Sequence, residues 1–318
     1  DGKGSYIRLS DFKGSENQAP KTLEAIQNPQ CGWFYTANQK DFEKIPGSPI
    51  GYWLSDQLYK RISDSKQLST FGKATKGLDT CDNDRFVRNW YEVSFFKFSN
   101  TKSSLSKWYL YQKGGNFQKW YGNNEKVVNW GNDGSELKNF RTPEGKVKSR
   151  PQNVVRYFSS GITWSAIGSG KTSYRLLNNS IFGGGGNGLF PKSKYINFFL
   201  ALLNSSISPL FLKLYNPTLN NLTGDIHKIP VILSEITLAV IDVNVNEQIS
   251  ISKHYLDTRE TSWDFKTLPL MVSTINEHCN NSQQLNIQTH ISSLYDNIFL
   301  QEIYDNYKTK WSKLFFQL

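Results

Sequence analysis

At 318 residues, 38% hydrophobic and 14% aromatic, the chain can bury a substantial core, and with only 20% charged residues it lacks the profile of a disordered polyelectrolyte. Its longest apolar run, Tyr195 to Leu203, is interrupted by Asn204 and Ser205, far short of the roughly 20 residues that span a bilayer, so no membrane partner is expected. The net charge of +10 is concentrated, because Asn100 to Arg175 carries 13 Lys or Arg against 4 Asp or Glu, while the stretches before and after it nearly balance. A local cationic excess on a folded chain suits a phosphate backbone, whose condensed counterions are released on contact. A solvated basic face is the plain alternative.

Three zones follow in chain order. Residues 1–66 alternate extended pieces such as Tyr6 to Leu9 with helical pieces at Lys21 to Gln27 and Pro49 to Arg61, and their Gly and Pro content suggests the edge of something larger. The chain opens on Asp1 with neither a basic start nor an apolar stretch, which reads as an excised fragment without a secretory leader. Cys31, Cys81 and Cys279 form no CxxC pair and are odd in number, so a reducing cytoplasm is expected and neither a disulfide framework nor a zinc site.

Residues 67–235 hold short β-branched and aromatic runs between Gly, Asn and Asp clusters. Phe86 to Val93, Lys107 to Tyr111, Val127 to Trp130, Val154 to Phe158 and Ile162 to Ile167 are the predicted strands. Tyr195 to Leu203 and Ile207 to Tyr215 have helical spacing, with Pro217 as the stop. In 236–318, Ile291, Leu294, Ile298, Ile303, Tyr307, Trp311 and Leu314 recur at helical intervals as an amphipathic stripe, a bundle or a docking surface. The fold class is therefore α+β: a mixed, mostly antiparallel, curved sheet domain followed by a helical region.

Motifs for chemistry are weak. Gly168-Ser169-Gly170-Lys171-Thr172 resembles the end of a phosphate-binding loop, but Ser165 stands where the pattern needs glycine, and Ser173 to Asn178 is too short and polar for the required helix. An exposed loop touching a nucleic-acid phosphate explains it more simply than nucleotide hydrolysis does. Phe182 to Gly188 lacks the strand and helix of a dinucleotide fingerprint and reads as a mobile turn whose glycines let the backbone approach a partner. His227, His254, His278 and His290 are scattered without ligand spacing, so no metal is expected, and no nucleophile–base grouping emerges. The most informative feature is the interleaving of cations with flat rings at Lys107-Trp108-Tyr109, Lys119-Trp120-Tyr121, Arg156-Tyr157 and Tyr174-Arg175, although strand aromatics are also ordinary core residues.

Lys76-Gly77-Leu78-Asp79-Thr80-Cys81-Asp82-Asn83-Asp84-Arg85-Phe86, continuing to Trp90-Tyr91-Glu92-Val93, closely resembles the opening of the target-recognition domain in the PglX family, the adenine-specific DNA methyltransferases of BREX phage-exclusion systems. Tyr6 to Leu9, Phe12 to Gly14, Pro20 to Ile26 and Ile45 to Ile50 are similar to the tail of that family's methyltransferase region. Phe158 to Trp164, Asn187 to Pro191, Leu203 to Ser205, Asn216 to Asn220, Gly224 to Ile226, Ile229-Pro230 and Glu260 to Lys266 with Pro269-Leu270 resemble later blocks in the expected order.

The resemblance implies a division into 1–66, the methyltransferase tail and linker; 67–235, a DNA target-recognition domain; and 236–318, a helical spacer or docking region. It implies methyl transfer from S-adenosylmethionine to adenine N6 by the full-length enzyme, through a [DN]PP[YFW] motif that this chain lacks. No cofactor and no catalytic residue are expected here. The implied partners are double-stranded DNA, the missing methyltransferase half of the same polypeptide and other phage-exclusion proteins. By analogy with the recognition domains of type I specificity subunits, the expected DNA contacts lie in Lys76 to Arg85, Lys113 to Arg156 and Gly168 to Asn187. Within them the residues singled out are Lys76, Thr80, Asn83, Arg85, Lys119, Arg141, Arg150, Arg156, Lys171, Arg175 and Asn187. The competing function is a protein-docking scaffold within the phage-exclusion complex.

Overall fold

The computed structural model describes residues 2–99, 101, 106–168, 171–216, 218 and 220–268. Strand β1 (Lys3–Ile7), helix α1 (Ser15–Gln27) and strand β2 (Phe34–Asn38) come first, with β1 and β2 paired as an antiparallel ribbon. Helices α2 (Gln39–Glu43) and α3 (Asp56–Asp64) follow, each opened by a side-chain cap: Asn38 accepts from the Lys40 amide and Ser55 from the Leu58 amide. The Ser55 cap explains why α3 begins later than the expected start at Pro49.

Strands β3 (Lys66–Gln67) and β4 (Gly72–Thr75), helix α4 (Asn83–Phe86) and strands β5 (Val87–Asn89), β6 (Phe98–Ser99), β7 (Trp108–Gln112) and β8 (Lys126–Asn129) lead to α5 (Gly131–Lys138). Then come β9 (Gly161–Ser165), β10 (Tyr174–Leu177), β11 (Ile181–Phe182) and β12 (Gly186–Pro191). Helices α6 (Ile196–Asn204), α7 (Ser208–Tyr215) and α8 (Thr223–His227), strand β13 (Pro230–Val231) and the long helix α9 (Glu235–Asp257) complete the described chain. The fold is α+β with mostly antiparallel pairing. Its main strands form two sheets, β10-β9-β12-β4 and β11-β7-β8-β5 with β6 also on β7, while β3 and β13 make a second ribbon.

The four-stranded sheet is covered on both faces. Ile162, Trp164, Tyr174, Leu189 and Ala74 point to one core, where Phe198, Phe199, Leu200 and Leu203 of α6, Phe211 of α7, Ile226 of α8 and Val245 of α9 bury their side chains. Leu177 and Phe190, on the alternate positions, join a second core with Tyr109, Tyr111, Val128, Trp130, Tyr157 and Phe182 from the five-stranded sheet and its connections. Three layers result: helices, sheet, sheet. Among the described residues no single helix is long and apolar enough to cross a membrane, and the apolar α6 spends its surface on the first core.

Two predicted strands are corrected. Only Val87 to Asn89 of Phe86 to Val93 is extended, because Asp82 caps α4 before it and Glu92 accepts from the Asn89 amide to start a 3₁₀ turn after it. Val154 to Arg156 is likewise a 3₁₀ turn, entered through Asn153 with φ of 52°. The glycine run is no mobile turn either: Gly183, Gly186 and Gly188 are buried between the two sheets. The stop at Pro217, the block at Pro269-Leu270, Cys279 and the stripe from Ile291 to Leu314 lie outside the described residues.

His227 ends α8 with its Nε2 accepting the Ala74 amide at 2.8 Å, a structural bond across the sheet edge. Burial, aided by Lys73, pushes its imidazole below the ordinary 6.5. Between the two values the unfolded chain takes up the proton first, so this stabilisation is complete above pH 6.5 and is lost as pH falls through the folded value. Denaturant unfolding should therefore weaken below that pH in the native chain, and less so in His227→Gln.

Packing around the glycines gives a second expectation. A Cβ on Gly77 would sit 1.8 Å from the Phe182 carbonyl oxygen, whereas one on Gly224 meets nothing within 4 Å. Gly77→Ala should cost about 1–3 kcal/mol or more. Gly224→Ala, inside α8, should be neutral or gain up to about 1 kcal/mol. Paired denaturation curves check both.

Candidate nucleic-acid interface

After α5 the chain folds back as a hairpin. The Lys148 amide donates to the Phe140 carbonyl at 2.8 Å, the Thr142 amide to Lys146 at 2.8 Å, and Arg141 bridges Val147. Pro143 suits the first corner of the turn and Gly145, with φ of 82°, supplies the left-handed residue that closes it. Strand alternation is not needed to expose its cations: Arg141, Lys146 and Lys148 are all solvent-facing. The Arg141 guanidinium braces the tip by donating to the Gly145 carbonyl at 3.1 Å.

The base of the hairpin is strapped to the loop after β4. Asp79 and Arg150 exchange two backbone hydrogen bonds, at 3.0 and 2.8 Å, and Asn153 Nδ2 donates to the Lys76 carbonyl at 2.9 Å. Arg85 holds the other side. Its guanidinium meets Glu136 at 3.1 Å and lies over Phe86 and Phe140, while Lys148 covers Phe140 at 5.1 Å. Burial opposes ionisation of Glu136, but the bonds from Arg85 and Asn129 outweigh it and hold the carboxyl below its usual value. A shallow, open depression of about 520 Å³ runs between Arg85, Ser135, Glu136, Asn139, Phe140 and Arg141.

The expected contact residues thus divide. Lys76, Asn83, Arg85, Arg141 and Arg150 are exposed, all but Asn83 take part in these contacts, and Arg156 follows Asn153 with its guanidinium 5.6 Å from the Phe190 ring centre. Lys119 is half-buried and donates to the Asn204 carbonyl at 3.1 Å, near α6 and away from the hairpin. Lys171 is exposed next to Thr172, whose hydroxyl donates to Asn221 at 2.8 Å. Thr172 leads to strand β10 and not to a helix, so the resemblance to a phosphate-binding loop ends there; Ser169 and Gly170 lie outside the described residues.

Three of the expected contacts are buried. Thr80 is 3% exposed and donates to Asn83, which shapes the loop. Asn187 is fully buried opposite Trp164 in the sheet. Arg175 is also fully buried, with Nη1 3.4 Å from the Gln118 carbonyl and from Ser173 Oγ, and with Nε and Nη2 unpartnered. Burial lowers its guanidinium to about 10. All three side chains are packed in the interior of the described residues.

The sequence reading missed the hairpin and with it Lys146, Lys148, Glu136 and Phe140. Its signal was Thr142-Pro143-Glu144-Gly145 between Phe140-Arg141 and Lys146-Val147-Lys148, a turn flanked by cations. The interleaved aromatics are chiefly core, since Tyr109, Tyr157 and Tyr174 are buried. Among the described residues no group of three or more His, Cys, Asp or Glu could hold a metal ion.

A basic hairpin is thus carried by a mostly antiparallel α+β scaffold. No family model matches the chain. It is homologous to a region of the PglX/BrxX adenine-specific methyltransferases. It is 36% identical to adenine-specific methyltransferase PglX of Lacticaseibacillus casei (strain Zhang) over 286 residues, 87% of this chain and 24% of the relative. It is 33% identical to adenine-specific methyltransferase BrxX of Escherichia coli O9:H4 (strain HS) over 312 residues, 93% of this chain and 24% of that protein. The chain therefore spans about a quarter of the length of the curated relatives it matches.

Because a buried cation is a cost that an apolar side chain of similar length avoids, Arg175→Met should leave stability unchanged or raised. Duplex affinity should not change. A loss of binding at unaltered melting temperature would return Arg175 to the contact surface.

Proposed function

We propose that this region recognises double-stranded DNA for an S-adenosylmethionine-dependent adenine-N6 methyltransferase of a phage-exclusion system. The observation that carries the reading is the strapped basic hairpin, Phe140 to Lys148, on a chain homologous to adenine-specific methyltransferases. In it Lys76, Arg150 and Arg156 hold phosphates and fix the register, while Arg141 and the hairpin tip approach base edges in a groove. Lys171 adds a phosphate contact at a distance. Arg85, clamped and stacked, needs little reorganisation to meet a phosphate.

This chain's own residues do not fit the methyl donor. No [DN]PP[YFW] motif occurs, and the glycine-rich stretch Gly183 to Gly188 is packed between strands instead of opening a helix. Donor binding and catalysis fall to sequence outside this chain, which would receive an adenine rotated out of the stack.

A second reading, a docking scaffold for other phage-exclusion proteins, is favoured by one feature. Ile236, Val240 and Val243 recur along the outer face of α9 and are 90%, 64% and 68% exposed. Salt separates the two readings. Duplex affinity measured by fluorescence anisotropy should fall steeply with log salt, and Arg141→Ala with Arg150→Ala should flatten the slope by about 2, close to one unit for each phosphate no longer neutralised. A slope unaltered by the pair, or no binding at low salt by the chain joined to its catalytic part, would sink the DNA reading at this face.

A further inference from the structure

A second concavity, of about 270 Å³, lies where the loop before β8 faces the end of α9 and the segment after it. The basic hairpin follows the far end of β8, so the two sites are separated by the length of that strand. Nothing in the proposed DNA face uses it.

Both walls are braced. In the loop, Gly114, Gly115, Trp120, Gly122 and Asn123 all have positive φ, and Trp120 at 69° is an expensive conformation for a bulky side chain. It is held by the edge of β10, donating to the Tyr174 carbonyl at 2.9 Å and accepting from the Leu176 amide at 2.8 Å. On the opposite wall Lys253 pairs with Asp257 and Asp264 and lies over Tyr121, Trp90 Nε1 donates to the Thr261 carbonyl at 2.8 Å, and Trp263 packs edge-on against Phe98. Such preorganisation is expected of a binding site more than of a loose surface cleft.

The lining narrows the ligand. Phe117 and Trp263 offer flat rings, Tyr121 and Tyr255 line the pocket with Lys253 and Arg259 over their faces, Gln118 offers an amide, and the amides of Asn123 and Asn124, bonded to the Asn116 carbonyl and to Gln112, keep one further donor and one further acceptor position. Glu125 and Arg259 contribute one charge of each sign, so a phosphate or a metal ion finds no net attraction. The Glu125 carboxylate also acts electrostatically on the buried Arg175. Stacking surface, paired amides and one acceptor carboxylate suit a planar nitrogen heterocycle with an exocyclic amino group. The volume stands just below the ~300 Å³ at which small-ligand pockets usually begin, which admits a base with part of its sugar.

We propose that this pocket binds an amino-bearing nucleobase, stacked on its rings and held at its edge by the amides and Glu125. The base is either a free nucleoside's or one presented by a single strand. The assignment stands apart from the DNA reading of the hairpin.

Calorimetric titration of the 318-residue chain with adenosine, with uridine and with a short single-stranded deoxyadenosine oligomer tests it. Phe117→Ala is the main variant, since that ring is 59% exposed and its loss should not threaten folding. Adenosine or the oligomer should saturate in the millimolar range or below, and Phe117→Ala should weaken that binding about fivefold or more. Glu125→Gln, at unchanged melting temperature, should narrow the preference for adenosine over uridine. Saturation by the oligomer alone, sensitive to Phe117→Ala and insensitive to the Arg141→Ala, Arg150→Ala pair, assigns the base to a strand. No saturation by any of the three, or binding indifferent to both pocket variants, overturns the proposal.

Discussion

The close approach of backbones around Gly183 to Gly186 fixes how the two sheets meet. Phe182 ends β11 beside Gln112 of one sheet, and Gly186 begins β12 in the other, so three residues carry the chain between layers. The Gly183 amide donates to the Gln112 carbonyl, the Gly184 amide to Leu78, and the Gly185 carbonyl accepts from Ala166. A Cβ on Gly183 would come within 2.3 Å of the Tyr111 hydroxyl, and one on Gly186 within 2.4 Å of the Gln112 carbonyl oxygen. Any side chain there would force the layers apart. Because Leu78 is held by this crossing and Asp79 is paired to Arg150, the position of the basic hairpin is set from the core outward.

That dependence explains what could be read in advance. Strands β7, β8 and β9 were legible because Trp108 to Gln112, Lys126 to Asn129 and Gly161 to Ser165 concentrate aromatic and β-branched residues between turn formers. Helices α6 and α7 were legible from their apolar spacing. The glycine run was not, since glycines that serve an exposed turn and glycines that let two strands touch give the same letters. Arg175 misled for a related reason. It sits in Tyr174-Arg175-Leu176-Leu177, where alternation ordinarily sends the polar residue to solvent, but here a second sheet covers that face.

Counting charge along the chain located the basic region and overcounted its surface. Of the cations in Asn100 to Arg175, Arg175 is sealed in the core and Lys119 is spent on the Asn204 carbonyl, while the hairpin collects Arg141, Lys146, Lys148 and Arg150 within a few residues. A hairpin was hard to foresee because its two arms are short and polar and draw their register from the turn and not from a buried face. Its arms are held by the strap to Asp79 and by Ser149, whose hydroxyl donates to the Leu137 carbonyl.

The ion pairs at this surface are better understood as positioning than as stability. Arg85 and Glu136 are both about half exposed, and pairs of that kind add little to folding. Their effect is on the rotamers: Glu136 draws Arg85 across Phe140, and Lys148 closes on the same ring from its own strand. Two flexible cations are thereby held against one flat apolar surface before any ligand arrives. A polyanion meeting them forgoes less side-chain entropy than it would against free lysines, while the guanidinium still presents donors that Glu136 does not occupy. Glu136 therefore does not cancel the charge of Arg85 and Lys148 so much as fix where that charge stands.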